Sequence, residues 1–146
     1  MSVYYSLILF FHVLSAALSI GPFFVLVPLI GKMRVAEESF MDEHISVFRS
    51  AVRIVKHAGH VLVATGVLLM WRGGYPWSTS WVVATIAVMF ASIFFLARAF
   101  KPVLKNLSEG EGDRRELVGL LNRKLWTYIA LLLVMLWFMV AKPNLW

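Results

Sequence analysis

The residues best suited to chemistry in this 146-residue chain are its four histidines, His12, His44, His57 and His60. Cysteine is absent, which removes disulfides, thiolate metal sites, thiol nucleophiles and iron–sulfur clusters. All the carboxylates (Glu37, Glu38, Asp42, Glu43, Glu109, Glu111, Asp113 and Glu116) lie in two polar segments. The apolar stretches therefore offer no carboxylate for proton pumping, intramembrane aspartyl proteolysis or paired-carboxylate hydrolysis. What remains is imidazole, which ligates metals, hydrogen-bonds and carries protons.

His12 is in line with Tyr5, Ser15, Ser19 and Pro22, spacings that place all five on one stripe of a 3.6-residue helix. Arg53, His57, His60, Ala64 and Val67 follow steps of 4, 3, 4 and 3 and form a second stripe, with Gly59, Val63 and Gly66 beside it for close packing. The expectation is that these two faces meet inside a helical bundle. With Tyr5 and Trp71 as a common boundary, His12 lies about 10 Å deep, His60 about 16 Å and His57 about 21 Å at 1.5 Å per residue. Of the two, His60 matches His12 better. Two imidazoles at comparable depth suit a b-type haem, whose iron takes one nitrogen from each side of the porphyrin. Arg53 or Lys56 would then pair with the propionates.

Other readings of the same residues stay open. His57 and His60, at i and i+3, could chelate copper with Met70 or Met135, the spacing being permissive rather than diagnostic. Histidines in a membrane bundle also serve simply as hydrogen-bonding glue, which would make the chain a non-catalytic subunit or assembly factor. His44, among Asp42 and Glu43, reads as a solvated surface residue. Trp126, Thr127 and Tyr128 read as an interfacial anchor, with Tyr128 alternatively lining a quinone pocket.

The elements that must position these side chains follow from composition. A chain that is 60% apolar is too hydrophobic for a soluble domain of this size. A spanning helix needs about 20 apolar residues. Four segments qualify, at about 3–30, 42–72, 81–100 and 125–141, with Pro22 expected to kink the first. The run from Val3 is too long, and Met1 to Ser6 too poor in Lys and Arg, for a cleaved signal peptide.

The expected fold is a single all-α domain over residues 1–146, a transmembrane four-helix bundle. Segments 31–56 and 98–124 hold all the Lys and Arg except Arg72 and Lys142, so the positive-inside rule makes them two long cytoplasmic loops and leaves both termini outside. Tyr4, Tyr5, Trp71, Tyr75, Trp77, Trp81 and Trp146 gather at the other interface as an aromatic belt. The net charge of +6 is divided among membrane-flanking segments, which argues against nucleic acid as a partner and for the lipid bilayer. The Gly59 and Gly66 face could support a homo-oligomer.

The first helix, Phe11-His12-Val13-Leu14-Ser15-Ala16-Ala17-Leu18-Ser19-Ile20-Gly21-Pro22-Phe23, resembles the opening helix of a group of bacterial four- or five-helix membrane proteins. That group comprises the CopD-type copper-resistance proteins, the HemJ-type protoporphyrinogen oxidases and a related uncharacterised integral membrane family. Arg49, Arg53 and the run Val63-Ala64-Thr65-Gly66-Val67-Leu68-Leu69 are similar to their second helix. The resemblance implies a multi-pass protein of the bacterial plasma membrane. It implies haem at His12 on the HemJ side, or copper on the CopD side. A further basic residue of the HemJ pattern is matched only loosely, by Arg98 or Lys101. The leading expectation is a membrane haem b protein that exchanges electrons with a quinol or small oxidant.

Overall fold

The computed structural model describes residues 2–146; Met1 lies outside the described residues. The chain forms four helices, α1 (Val3–Val35), α2 (Glu38–Gly73), α3 (Ser80–Glu109) and α4 (Arg114–Ala141). Each is long and apolar enough to cross a membrane. Successive helices run antiparallel, so both termini lie at one end of the bundle. α1 packs on α2, α3 on α4 and α1 on α4, whereas α2 and α3 barely touch and the diagonal pairs make no backbone approach. The result is a square bundle with one loose seam.

The two long loops expected at the basic end are not loops. Each helix continues well past its apolar window, leaving only Ala36–Glu37 between α1 and α2 and Gly110–Asp113 between α3 and α4. At 1.5 Å per residue the 33-residue α1 is about 50 Å long, against a hydrocarbon core of about 30 Å. The extra turns stay helical because their charges are interleaved at helical spacing with Met33, Met41, Ile45, Val103, Leu107 and Val118, all of which are buried. A charge count identifies such a segment as polar but does not distinguish an amphipathic helix from a loop.

The ends are set by local chemistry. Ser2 Oγ accepts from the Tyr5 amide at 3.3 Å, and Asp113 Oδ1 accepts from the Arg115 amide at 3.2 Å, each capping a helix start. Gly74 and Gly110 take left-handed conformations (φ 66° and 69°) that end α2 and α3, as glycine does at low steric cost. α1 runs unbroken through Pro22 and also Pro28.

Packing is densest toward the basic end. Phe23, Phe48, Phe100 and Tyr128, one from each helix, form an aromatic cluster with ring centroids 4.7 Å apart for Phe23–Tyr128 and 5.5 Å for Phe48–Phe100. Tyr128 is thus part of the core, while its neighbours Trp126 and Thr127 are exposed. Pro102 cannot return an amide to the Arg98 carbonyl. The next carbonyl, that of Ala99, accepts from Lys124 Nζ at 2.8 Å, tying α4 to α3. Arg114 donates to the Ala36 carbonyl and so ties α4 to the turn between α1 and α2.

At the other end, Ser80 Oγ donates to the Pro143 carbonyl at 3.2 Å and accepts from the Leu145 amide at 2.9 Å. Lys142 Nζ lies 5.3 Å from the centroids of both Tyr75 and Trp81. Many large apolar side chains, Phe90, Trp137 and Val140 among them, point outward as in a bundle solvated by lipid.

Replacing Phe100 by Ala should lower stability in detergent by about 3 kcal/mol, whereas Phe90→Ala on the outer surface should change it by less than about 0.5 kcal/mol. Thermal unfolding of the two purified variants measures the difference.

Candidate functional site

The stripe through His12 faces inward as expected: Ser15 and Ser19 are buried and His12 is half-buried. Ser15 Oγ donates to the His12 carbonyl at 2.9 Å, and Ser19 Oγ donates to the Ser15 carbonyl at 2.7 Å. These hydroxyls satisfy themselves on their own helix, so they can be buried without a partner on another helix. The imidazole instead crosses to α2, where Nδ1 lies 2.9 Å from Thr65 Oγ1.

The direction of that bond follows from counting protons. Thr65 has one hydroxyl proton, and its oxygen lies 2.7 Å from the Val61 carbonyl and 3.1 Å from the Leu62 carbonyl, both pure acceptors. The hydroxyl therefore donates to its own helix and accepts from His12 Nδ1–H. The neutral ring is assigned the Nδ1–H tautomer, with the Nε2 lone pair uncommitted to Thr65. The arrangement fits a ligating histidine, whose second nitrogen is commonly held by a neighbouring acceptor that fixes the ring. Gly66 makes the approach possible, since a Cβ there would stand 3.3 Å from His12 Cε1. By contrast, a Cβ at Gly59 would meet nothing within 4 Å.

The second stripe faces the other way. Arg53, His57, His60, Ala64 and Val67 are all exposed, and α2 buries Val55, Ala58, Leu62 and Thr65 instead. The physical reason is that the small and aliphatic side chains fit the close α1–α2 contact, whereas Arg53 would be an uncompensated charge there. The Tyr5–Trp71 boundary puts Thr65 at the depth of His12, and His60 lies five residues, about 8 Å, nearer the basic end. The structure thus joins His12 to Thr65 and Gly66, and His60 to His57, whose rings are 6.3 Å apart and edge-on. It does not bring His12 and His60 together.

Lys56 is exposed beside Arg53, and His44 is half-buried with Nδ1 2.7 Å from the Phe40 carbonyl. Among the described residues no group of three or more His, Cys, Asp or Glu is clustered as a metal site. Any metal held at His12 would have to take most of its ligands from a cofactor. The residue missed by reading histidines alone is Thr65, although its neighbour Gly66 reads from the sequence as a place of close packing and Thr65-Gly66 lies in the run that carries the family resemblance.

Comparison with known proteins finds no family model that matches the chain, no similar curated protein and no similar solved structure.

A double-mutant cycle on His12→Ala and Thr65→Val should return a coupling of about 1 kcal/mol, in the range of hydrogen bonds between membrane helices. Gly66→Val should destabilise more than Gly59→Val, because only the first drives a side chain into His12. Unfolding of the wild type and the five variants in one detergent measures both.

Proposed function

We propose that this multi-pass helical protein is a b-type haem protein of the bacterial plasma membrane, in which His12 would hold the haem iron. The observation that carries this reading is the half-buried imidazole of His12, held with Nδ1 2.9 Å from Thr65 Oγ1, an arrangement whose assigned tautomer leaves the Nε2 lone pair for a ligand. Haem, when bound, supplies reversible one-electron chemistry at its iron. The chain's own contribution is to fix the ring through Thr65 and to present a low-dielectric wall of apolar side chains around it. Electron exchange with a lipid-soluble quinol or small oxidant follows as the use of such a group in a membrane. The resemblance of the first two helices to the HemJ-type proteins supports the same reading, whereas the CopD-type side of that resemblance points to copper.

The basic end, with both polar turns, is read as cytoplasmic and the termini as external, on the strength of the Lys and Arg distribution. Because the sequence has no cysteine, single cysteines at position 110 and at position 77 test this without background. A membrane-impermeant thiol reagent added to intact cells should label position 77 and leave position 110 unlabelled.

Haem itself is tested by expression with ample haem supply. The purified protein should show a Soret band that shifts on reduction, and a pyridine haemochrome near one haem per chain. His12→Ala should abolish it, His60→Ala should retain it, and Thr65→Val should weaken haem affinity about 10- to 100-fold. A colourless wild-type protein overturns the proposal. The exposed His57–His60 pair favours a second reading, copper binding on the outer face of α2. Copper found by elemental analysis in haem-free protein, and lost on His60→Ala, would establish that reading instead. If neither group binds and both histidine variants work in cells, the chain is a non-catalytic membrane subunit or assembly factor.

A further inference from the structure

We infer that the exposed face of α2 toward the basic end is a binding site for one anionic phospholipid, its phosphate held by Arg53 and Lys56 and an ester carbonyl by His57, with His60 edge-on beside that imidazole. All four side chains are exposed. Among the described residues none of the four forms a hydrogen bond or ion pair, and the one side-chain interaction among them is the His57–His60 ring contact. Bare imidazoles facing hydrocarbon are costly, so a histidine on a lipid-facing surface needs an acceptor from outside the chain. The lipid that surrounds the bundle is the source of such acceptors.

The order of residue types along α2 matches the order of groups along a glycerophospholipid. α2 enters from the basic end, and helical side chains lean toward their own N-terminus. Arg53 and Lys56 therefore reach back to the phosphate level, where ammonium and guanidinium groups snorkel. His57 follows four residues or about 6 Å beyond Arg53, where its back-leaning ring reaches the ester level, and His60 lies one further turn in, among the acyl carbons. Above them the exposed Val67 and Leu68 offer only apolar surface.

The charge selects an anionic lipid. No Asp or Glu occurs in α2 after Glu43, so nothing on the helix neutralises Arg49, Arg53 and Lys56. The same charges argue against a second copy of the chain docked through this face, which would set like charges opposite one another.

The loose α2–α3 seam provides the second wall. Phe100 of α3 meets Phe48 of α2 at 5.5 Å between centroids. Ile93, two turns earlier on the same face of α3, is nevertheless 49% exposed. The α2–α3 seam therefore leaves apolar surface of α3 open to an acyl chain at this depth.

The test is native mass spectrometry of the purified full chain with phosphatidylglycerol or phosphatidylcholine at equal concentration and fixed ionic strength. The wild type should retain phosphatidylglycerol preferentially. Arg53→Gln with Lys56→Gln should reduce that preference by about fivefold per charge removed. Arg115→Gln with Arg123→Gln, an equal loss of charge at exposed positions of α4, should leave it unchanged. The wild type should hold ester-linked phosphatidylglycerol more tightly than the ether-linked analogue, and His57→Leu with His60→Leu should erase that difference.

The changed side chains are all exposed, and the single Lys56→Gln variant carries the charge test should the double variant not be recovered. Equal loss of preference in the α4 control, or no loss in the α2 variant, would overturn the proposal. Displacement of the lipid by millimolar inorganic phosphate would also overturn it, since the site would then be a plain anion site.

Discussion

The structure turns on one hydrogen bond between helices, from the imidazole of His12 to the hydroxyl of Thr65. Within a bilayer there is no water to satisfy an imidazole, so a histidine at this depth needs a partner from a neighbouring helix. Thr65 can be that partner because its own proton is already given to the Val61 carbonyl one turn back. Gly66 can lie beneath the ring because it has no side chain. Ser15 and Ser19 can share the seam because their hydroxyls return to carbonyls of α1. The register of α1 against α2 follows from this set, and with it the outward rotation of His57 and His60.

The rest of the bundle divides the work between its two ends. Toward the turns, Phe23, Phe48, Phe100 and Tyr128 fill the centre, and the buried aliphatic residues continue beyond the apolar windows, so the helices remain joined where they leave the membrane. Lys124 and Arg114 each give a charged donor to a backbone carbonyl of another segment, which locks α4 in place without a buried carboxylate. Toward the termini the interior is more polar, holding Ser15, Thr65 and Ser80, and packing relies on small residues and local hydrogen bonds.

Much of this was legible in the sequence because the bilayer imposes strong rules. Four apolar windows, the stripe from Tyr5 through His12 to Ser19, and the aromatic end could be read from spacing alone. The rotation of α2 could not. Its histidines and its Thr65 lie on different faces of one helix, and periodicity does not say which face is inside when one carries imidazoles and bases and the other carries Ala58, Leu62 and Thr65. Close packing against α1 chose the second. The polar ends of the helices read as loops for a related reason: Met33, Val103, Leu107 and Val118 are few among many charges, and their burial depends on residues of other helices that lie far away in the chain. The His12–Thr65 pair, 53 residues apart, carries no local signal at all.

The central claim is that Thr65 holds His12 as the Nδ1–H tautomer, with Nε2 available as a ligand. Nitrogen-15 NMR of histidine-labelled, cofactor-free protein in lipid bilayers reads this directly, with a His12→Gln sample to assign the signal. The account predicts one His12 species, protonated at Nδ1 and bare at Nε2, while His57 and His60 sample both tautomers. An Nε2–H tautomer or an imidazolium at His12 would contradict it.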